Sequence, residues 1–212
     1  MAIELHNIIP SPLEELPMEE SQVWRRDISF LPGHDYLIYA ESGKGKTTLL
    51  NLIYGLRSDY QGSLLIDGRN CRDFTHRHRI ALRREYFALV PQGLWLFEHL
   101  SGIENIRIKN NLTDYMGEAG IQEYLKACGI AEHQHKPAGL LSFGQKQRFA
   151  IIRSLCQPFR FLLLDEAFSH LDKSNKDIIT DILKKEVRHR NAGMILTSLT
   201  DHEPGFDKII KL

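Results

Sequence analysis

Two short segments of this chain carry residue types that can hold phosphate and move a proton: Gly43-Lys44-Gly45-Lys46-Thr47 and Asp165-Glu166. Glycines let backbone N–H groups turn inward around phosphate oxygens, a following helix adds its N-terminal dipole, and Lys46 is long enough to reach β- and γ-phosphates. Thr47 would put its hydroxyl on Mg²⁺. The loop runs Ala40-Glu41-Ser42-Gly43-Lys44-Gly45-Lys46-Thr47-Thr48, and the full pattern GxxxxGK[ST] has glycine where Ala40 stands. A glycine-lysine turn with no ligand is the alternative. In FLLLDE, 161–166, an apolar run delivers Asp165 to the tip of a buried strand, where α/β folds hold ligands. There Asp165 would hold Mg²⁺ through water, and Glu166 would orient and deprotonate an attacking water. An acidic pair that merely ends a strand is the competing reading.

Other clusters point less sharply. Arg69, Arg72, Arg77, Arg79, Arg83 and Arg84, with His76 and His78, form a basic run without aromatic interleaving. That reads as a solvated face rather than a nucleic-acid contact. His133 and His135 have ligand-like spacing but no accompanying cysteine or carboxylate set, so exposure to solvent is expected.

The elements that must position these residues alternate between strand and helix, the α/β pattern. Strands are expected at 35–40 (DYLIYA), 62–68 (GSLLIDG), 87–92 (FALVPQ) and 193–198 (GMILTS). FLLL, 161–164, lacks alternation, as a central parallel strand buried on both faces should. Helices are expected at 46–56, with Leu49, Leu50 and Ile53 on one face, and at 173–187; small amphipathic helices are expected over 112–130.

Composition bounds the answer. A length of 212 residues allows one well-buried core, and a formal net charge of +0 provides no global field for nucleic acid or anionic membrane. Cys71, Cys128 and Cys156 are scattered and odd in number, which argues against a disulfide framework or zinc site and suits a reducing cytosol. The first twenty residues lack the basic and apolar regions of a signal peptide. The longest apolar runs, about four or five residues, fall far below the ~20 of a bilayer span, so any membrane role must come through a partner.

Between the two phosphate-type segments lies Leu141-Ser142-Phe143-Gly144-Gln145-Lys146-Gln147-Arg148, opening a helix. This segment resembles the LSGGQ signature of the ABC (ATP-binding cassette) ATPases, with Phe143 where that family has its first glycine. Further landmarks come in the family order across nearly the whole chain. Val90-Pro91-Gln92 and LFEHLSGIENI, 96–106, are similar to the Q-loop and the segment after it, and Ser169-His170-Leu171-Asp172 looks like the D-loop.

The resemblance implies an α/β P-loop NTPase core of ABC type, about 1–92 and 146–212, with a helical signature subdomain at about 93–145, in a single domain. It implies ATP and Mg²⁺ as ligands, with Gln92 completing the Mg²⁺ shell. It implies that Ser142 and Gly144, with Gln145 beside them, reach the γ-phosphate held by a second subunit. The partners implied are a homodimer or paired ABC subunit and integral membrane permease subunits. No nucleic acid is expected. The location would be cytoplasmic, peripheral on the inner face of the membrane. Length and the stretches around 96–106 and 137–145 look closest to ATPases of lipoprotein-release, division and small importer systems.

Two landmarks differ. The adenine-stacking aromatic of the family falls on Pro12, and Trp24, the nearest upstream aromatic, reads as core. Where the family has Thr-His after its last strand this chain has Ser198-Leu199, with His202 three residues on, either a stand-in catalytic histidine or an exposed loop residue. These departures keep open a nucleotide-gated interaction subunit with little hydrolysis. A chromosome-structural ABC protein would need a long coiled-coil insertion, and no extended heptad run exists here.

Overall fold

The computed structural model describes residues 2–15, 17–203 and 205–212. Two sheets organise the chain. An antiparallel sheet of order β2-β1-β4-β5 is built from β1 (Ile3–Pro10), β2 (Asp27–Phe30), β4 (Tyr60–Ile66) and β5 (Arg69–Asn70). A parallel sheet of order β6-β7-β8-β3-β9 is built from β3 (Asp35–Tyr39), β6 (Phe87–Val90), β7 (Phe161–Asp165), β8 (Gly193–Ser198) and β9 (Lys208–Lys211). Helices α1 (Lys46–Ile53), α2 (His76–Glu85), α3 (Gly102–Asn110), α4 (Glu118–Ala127), α5 (Phe143–Leu155) and α6 (Lys173–His189) complete it.

The apolar strands are explained by burial on both sheet faces. Successive strand side chains point to opposite faces. In β7, Phe161 and Leu163 join one apolar cluster, with β1 and α1, while Leu162 and Leu164 join the other, with α3, α4, α5 and α6. The neighbouring β8 divides the same way, Ile195 to the first and Met194 and Leu196 to the second. Neither strand can therefore alternate apolar with polar residues. The second cluster runs without a break from the parallel sheet into the helices of 102–127, so those helices are held by the same core that holds the sheet. Trp24 is fully buried in the first cluster, the core position expected of it.

Element ends moved for local reasons. Helix α1 stops at Ile53 rather than 56, because Gly55 takes a left-handed φ of 74°. Strand β4 starts at Tyr60 rather than 62. Within 112–130 the helix is confined to Glu118–Ala127, since the Asn110 side chain bonds both the N–H and the carbonyl of Met116 and fixes a turn ahead of it. Most of the basic run, from His76 to Arg84, lies in α2, in which no residue is buried, while Arg69 is in β5 and Arg72 in the turn after it. Among the described residues no helix is long and apolar enough to cross a membrane.

Helix α3 begins at a capping box: Ser101 Oγ accepts from the Glu104 N–H, and Glu104 accepts in turn from the Ser101 N–H at 2.8 Å. Ser101→Ala should lower stability by about 1 kcal/mol, read as a reduced denaturant midpoint with an unchanged slope.

Candidate functional site

Parallel topology gathers the chemistry at one sheet edge. Strands β3, β6, β7 and β8 all run the same way, so the loops leaving their C-terminal ends emerge side by side. Those loops carry Lys46, Gln92, Asp165-Glu166 and Leu199, residues up to 153 positions apart in sequence.

The loop between β3 and α1 turns through two left-handed glycines, Gly43 at φ 81° and Gly45 at φ 98°. A Cβ on Gly45 would lie 2.5 Å from the Leu13 side chain and 3.1 Å from Trp24, so space as well as φ demands glycine there. Trp24 supports the loop from the core side, its indole N–H donating to the Lys44 carbonyl at 3.1 Å. Lys46 is buried at 5% exposure and donates to the Ala40 and Glu41 carbonyls at 2.7 and 3.0 Å. Its ammonium also pairs with Glu166 Oε1 at 3.3 Å. Gln92 Nε2 donates to Glu166 Oε2 at 3.2 Å. Glu166 itself sits at φ 50°, a left-handed backbone that departs from the strand just after Asp165.

Asp165 is buried, and burial pushes its carboxyl above the ordinary range. Two hydroxyl donors, Thr47 Oγ1 at 2.8 Å and Thr197 Oγ1 at 2.9 Å, oppose that shift. Asp165, Thr47 and the amide oxygen of Gln92 are hard oxygen donors of the kind Mg²⁺ takes alongside nucleotide phosphates, so the residues fit that ion.

Ser42, Gly43, Gly45, Lys46, Thr47, Thr48, Gln92 and Glu166 line a cleft of about 460 Å³ together with Leu13 and Leu199. Glu166 and Leu199 also border an adjoining cleft walled by Lys176 and Glu203, which pair with each other. Ala40, Glu41 and Lys44 contribute carbonyls that shape the loop rather than wall. Ser142, Gly144 and Gln145 lie outside this cleft, at the N-terminus of α5. There Ser142 Oγ accepts from the Gln145 N–H and Gln145 Oε1 accepts from the Ser142 N–H, another capping box. The Phe143 ring, half exposed, packs edge-on against His170 with centroids 4.4 Å apart. His202 projects into solvent against Asp201 at 3.1 Å, its side chain 86% exposed, and is not drawn into either cleft. His133 pairs with Glu132 at 3.4 Å.

Three residues at the clefts are not marked by any sequence motif. Leu13, in a short 3-10 turn after β1, closes the cleft where an aromatic was sought at Pro12. Thr197 is fully buried and joins Asp165 to Glu166; a hydroxyl inside the apolar strand GMILTS was its only signal. Glu203 carried no signal, since its partner Lys176 lies on another element.

A profile of the ABC transporter family matches residues 25–169. The glutamate/aspartate import ATP-binding protein GltL of Escherichia coli strain K12 is 34% identical over 178 residues, 82% of this chain and 71% of that protein. The lipoprotein-releasing system ATP-binding protein LolD of Protochlamydia amoebophila is 28% identical, covering 84% of this chain and 78% of its own. The dimeric structure of a bacterial ABC transporter cassette superposes with a TM-score of 0.80 at 23% identity, over 93% of this chain and 88% of that one, so the fold is that of the ABC P-loop core. The chain belongs to the ABC transporter family, as one of its ATP-binding, ATP-hydrolysing subunits.

Proposed function

We propose that the cleft between the 40–48 loop, Gln92 and Glu166 binds Mg·ATP, and that two copies, or this chain and a paired ABC subunit, close head to tail around two nucleotides. The observation that carries this reading is the convergence on Glu166 of Lys46 at 3.3 Å and Gln92 at 3.2 Å, beside a buried Asp165 held by Thr47. Lys46 faces the phosphates, and the backbone N–H groups of the loop and the N-terminus of α1 surround them. Thr47, Asp165 and Gln92 would hold Mg²⁺, which supplies charge neutralisation when bound. Glu166 then orients water and takes its proton. Phosphate binding draws Lys46 toward the nucleotide and frees the Glu166 carboxylate, so substrate arrival arms the base. Ser142, Gly144 and Gln145 serve the other subunit's nucleotide: they open α5, whose N-terminal end favours an anion, and they lie outside their own cleft.

The membrane partner fits a groove of about 300 Å³ bounded by Tyr54, Trp95, Phe97, Ile108, Leu112 and Arg153. Trp95 and Phe97 are half exposed there, an arrangement that favours an apolar contact. Arg153 donates to the carbonyls of Leu94 and Trp95, both at left-handed φ, and so ties the segment after Gln92 to α5. Motion at the nucleotide would pass through that tie to a permease bound on the cytoplasmic face of a membrane.

Turnover should be slow, because Leu199 provides no polar group to the γ-phosphate. Loss of one preorganised contact of this kind costs ~10²–10³ in rate. In a phosphate-release assay on Mg·ATP, His202→Ala should match wild type and Leu199→His should raise the rate. A collapse of hydrolysis in His202→Ala, with ATP binding intact, would make His202 the missing histidine and overturn the slow-turnover reading.

A further inference from the structure

We infer that Thr197 is a positioning residue for the metal-binding carboxylate and the base together, an inference that rests on the reading of Asp165 and Glu166 given above. Thr197 is fully buried and stands opposite Asp165 in the β7–β8 register. Its hydroxyl has one hydrogen and free lone pairs, and both capacities are used on the site. The Oγ1–H donates to Asp165 Oδ1 at 2.9 Å, a shorter contact than the 3.4 Å to the Leu164 carbonyl. The same oxygen accepts from the Glu166 N–H at 3.1 Å.

One atom therefore joins the side chain of Asp165 to the backbone of Glu166 at the point where the strand turns left-handed. Thr47 occupies the other carboxylate oxygen, Oδ2, at 2.8 Å. Asp165 thus has both oxygens held, one from the phosphate loop and one from β8, which leaves its plane little freedom. The β8 residues from Met194 to Leu196 are all apolar and pack in one or other of the two clusters. Packing alone would accept valine at 197, which has the shape of threonine without the hydroxyl. A ligating carboxylate whose outer partner is removed typically loses 10–100-fold in metal affinity or activity.

The test uses Mn²⁺ as a paramagnetic probe, titrated into the full chain with adenylyl imidodiphosphate and followed by electron paramagnetic resonance. Thr197→Val should weaken Mn²⁺ binding by about tenfold or more, and Thr197→Ser, which keeps the hydroxyl, should restore it to within about threefold. Nucleotide affinity measured in chelator should stay within about twofold for both, since the tether acts on the metal side of the site. Thr197→Cys, close in shape to the serine variant but only a weak donor, is measured in parallel and should fall with valine. Mn²⁺ affinity at the wild-type level in Thr197→Val, or a loss in Thr197→Ser equal to that in valine, would overturn the inference. Asp165→Asn separates the two levels: if it too binds Mn²⁺ as wild type does, the reading of the metal site itself fails.

Discussion

Glu166→Gln should abolish measurable ATP hydrolysis and convert a largely monomeric chain into a dimer when Mg·ATP is present. An amide has the size and most of the hydrogen-bonding reach of the carboxylate. It can still accept from Lys46 and lie beside Gln92, so the left-handed turn at 166 and the cleft walls should persist. It cannot take a proton from water. General-base removal typically costs 10²–10⁴-fold, and Leu199 offers nothing polar in its place. With the chemical step blocked, bound ATP continues to bridge the two copies, and the closed state accumulates. Light scattering with saturating Mg·ATP reads the mass, and phosphate release reads the rate. Wild-type hydrolysis would remove Glu166 from the base role. A monomer that persists at saturating Mg·ATP would count against the head-to-tail sandwich.

Lys46→Ala should weaken Mg·ATP binding by at least tenfold, about 1.4 kcal/mol. Among the described residues the ammonium is the one side-chain cation lining the phosphate cleft, and its burial limits competition from water. Loss of the lysine also leaves the Ala40 and Glu41 carbonyls without their donor and Glu166 without its pairing cation. The loop should then be less well formed before any nucleotide arrives. Calorimetric titration of Mg·ATP gives the affinity directly. Wild-type affinity in the alanine variant would place the phosphates elsewhere.

The departures from the family pattern differ in consequence. Ala40 in place of glycine is harmless in geometry: its carbonyl takes the Lys46 ammonium, its N–H bonds the Ser198 carbonyl, and it needs no positive φ. Pro12 is followed by Leu13, whose side chain approaches Gly45 and borders the cleft, so the wall there is aliphatic rather than aromatic. Phe143 is more consequential. Its ring, on the first residue of α5, leans edge-on against His170 and so ties the start of that helix to the segment after Glu166 within one subunit.

Much of the molecule was legible in the residues alone. The run FLLLDE specifies a strand whose successive side chains all need apolar surroundings, which only a sheet covered on both faces provides. Gly43, Gly45 and Lys46 specify a loop by backbone freedom and side-chain reach, both local properties. Ser142 marks a helix start through a cap that spans three residues. What local chemistry cannot determine is which distant side chains meet. Thr197 became part of the site because β8 pairs with β7 in a register that sets it against Asp165. His202 was left in solvent although Leu199 before it and Glu203 after it border the clefts, and three residues of sequence give no information about which way its side chain points. Leu13 reached the phosphate loop from the turn after β1, and Lys176 found Glu203 from another element. Periodicity and turn chemistry act over one to four residues, so they settle elements and motifs. The meeting of hydroxyl, carboxylate and ammonium at one sheet edge depends on strand order and register, set in turn by burying both apolar faces of the sheet at once.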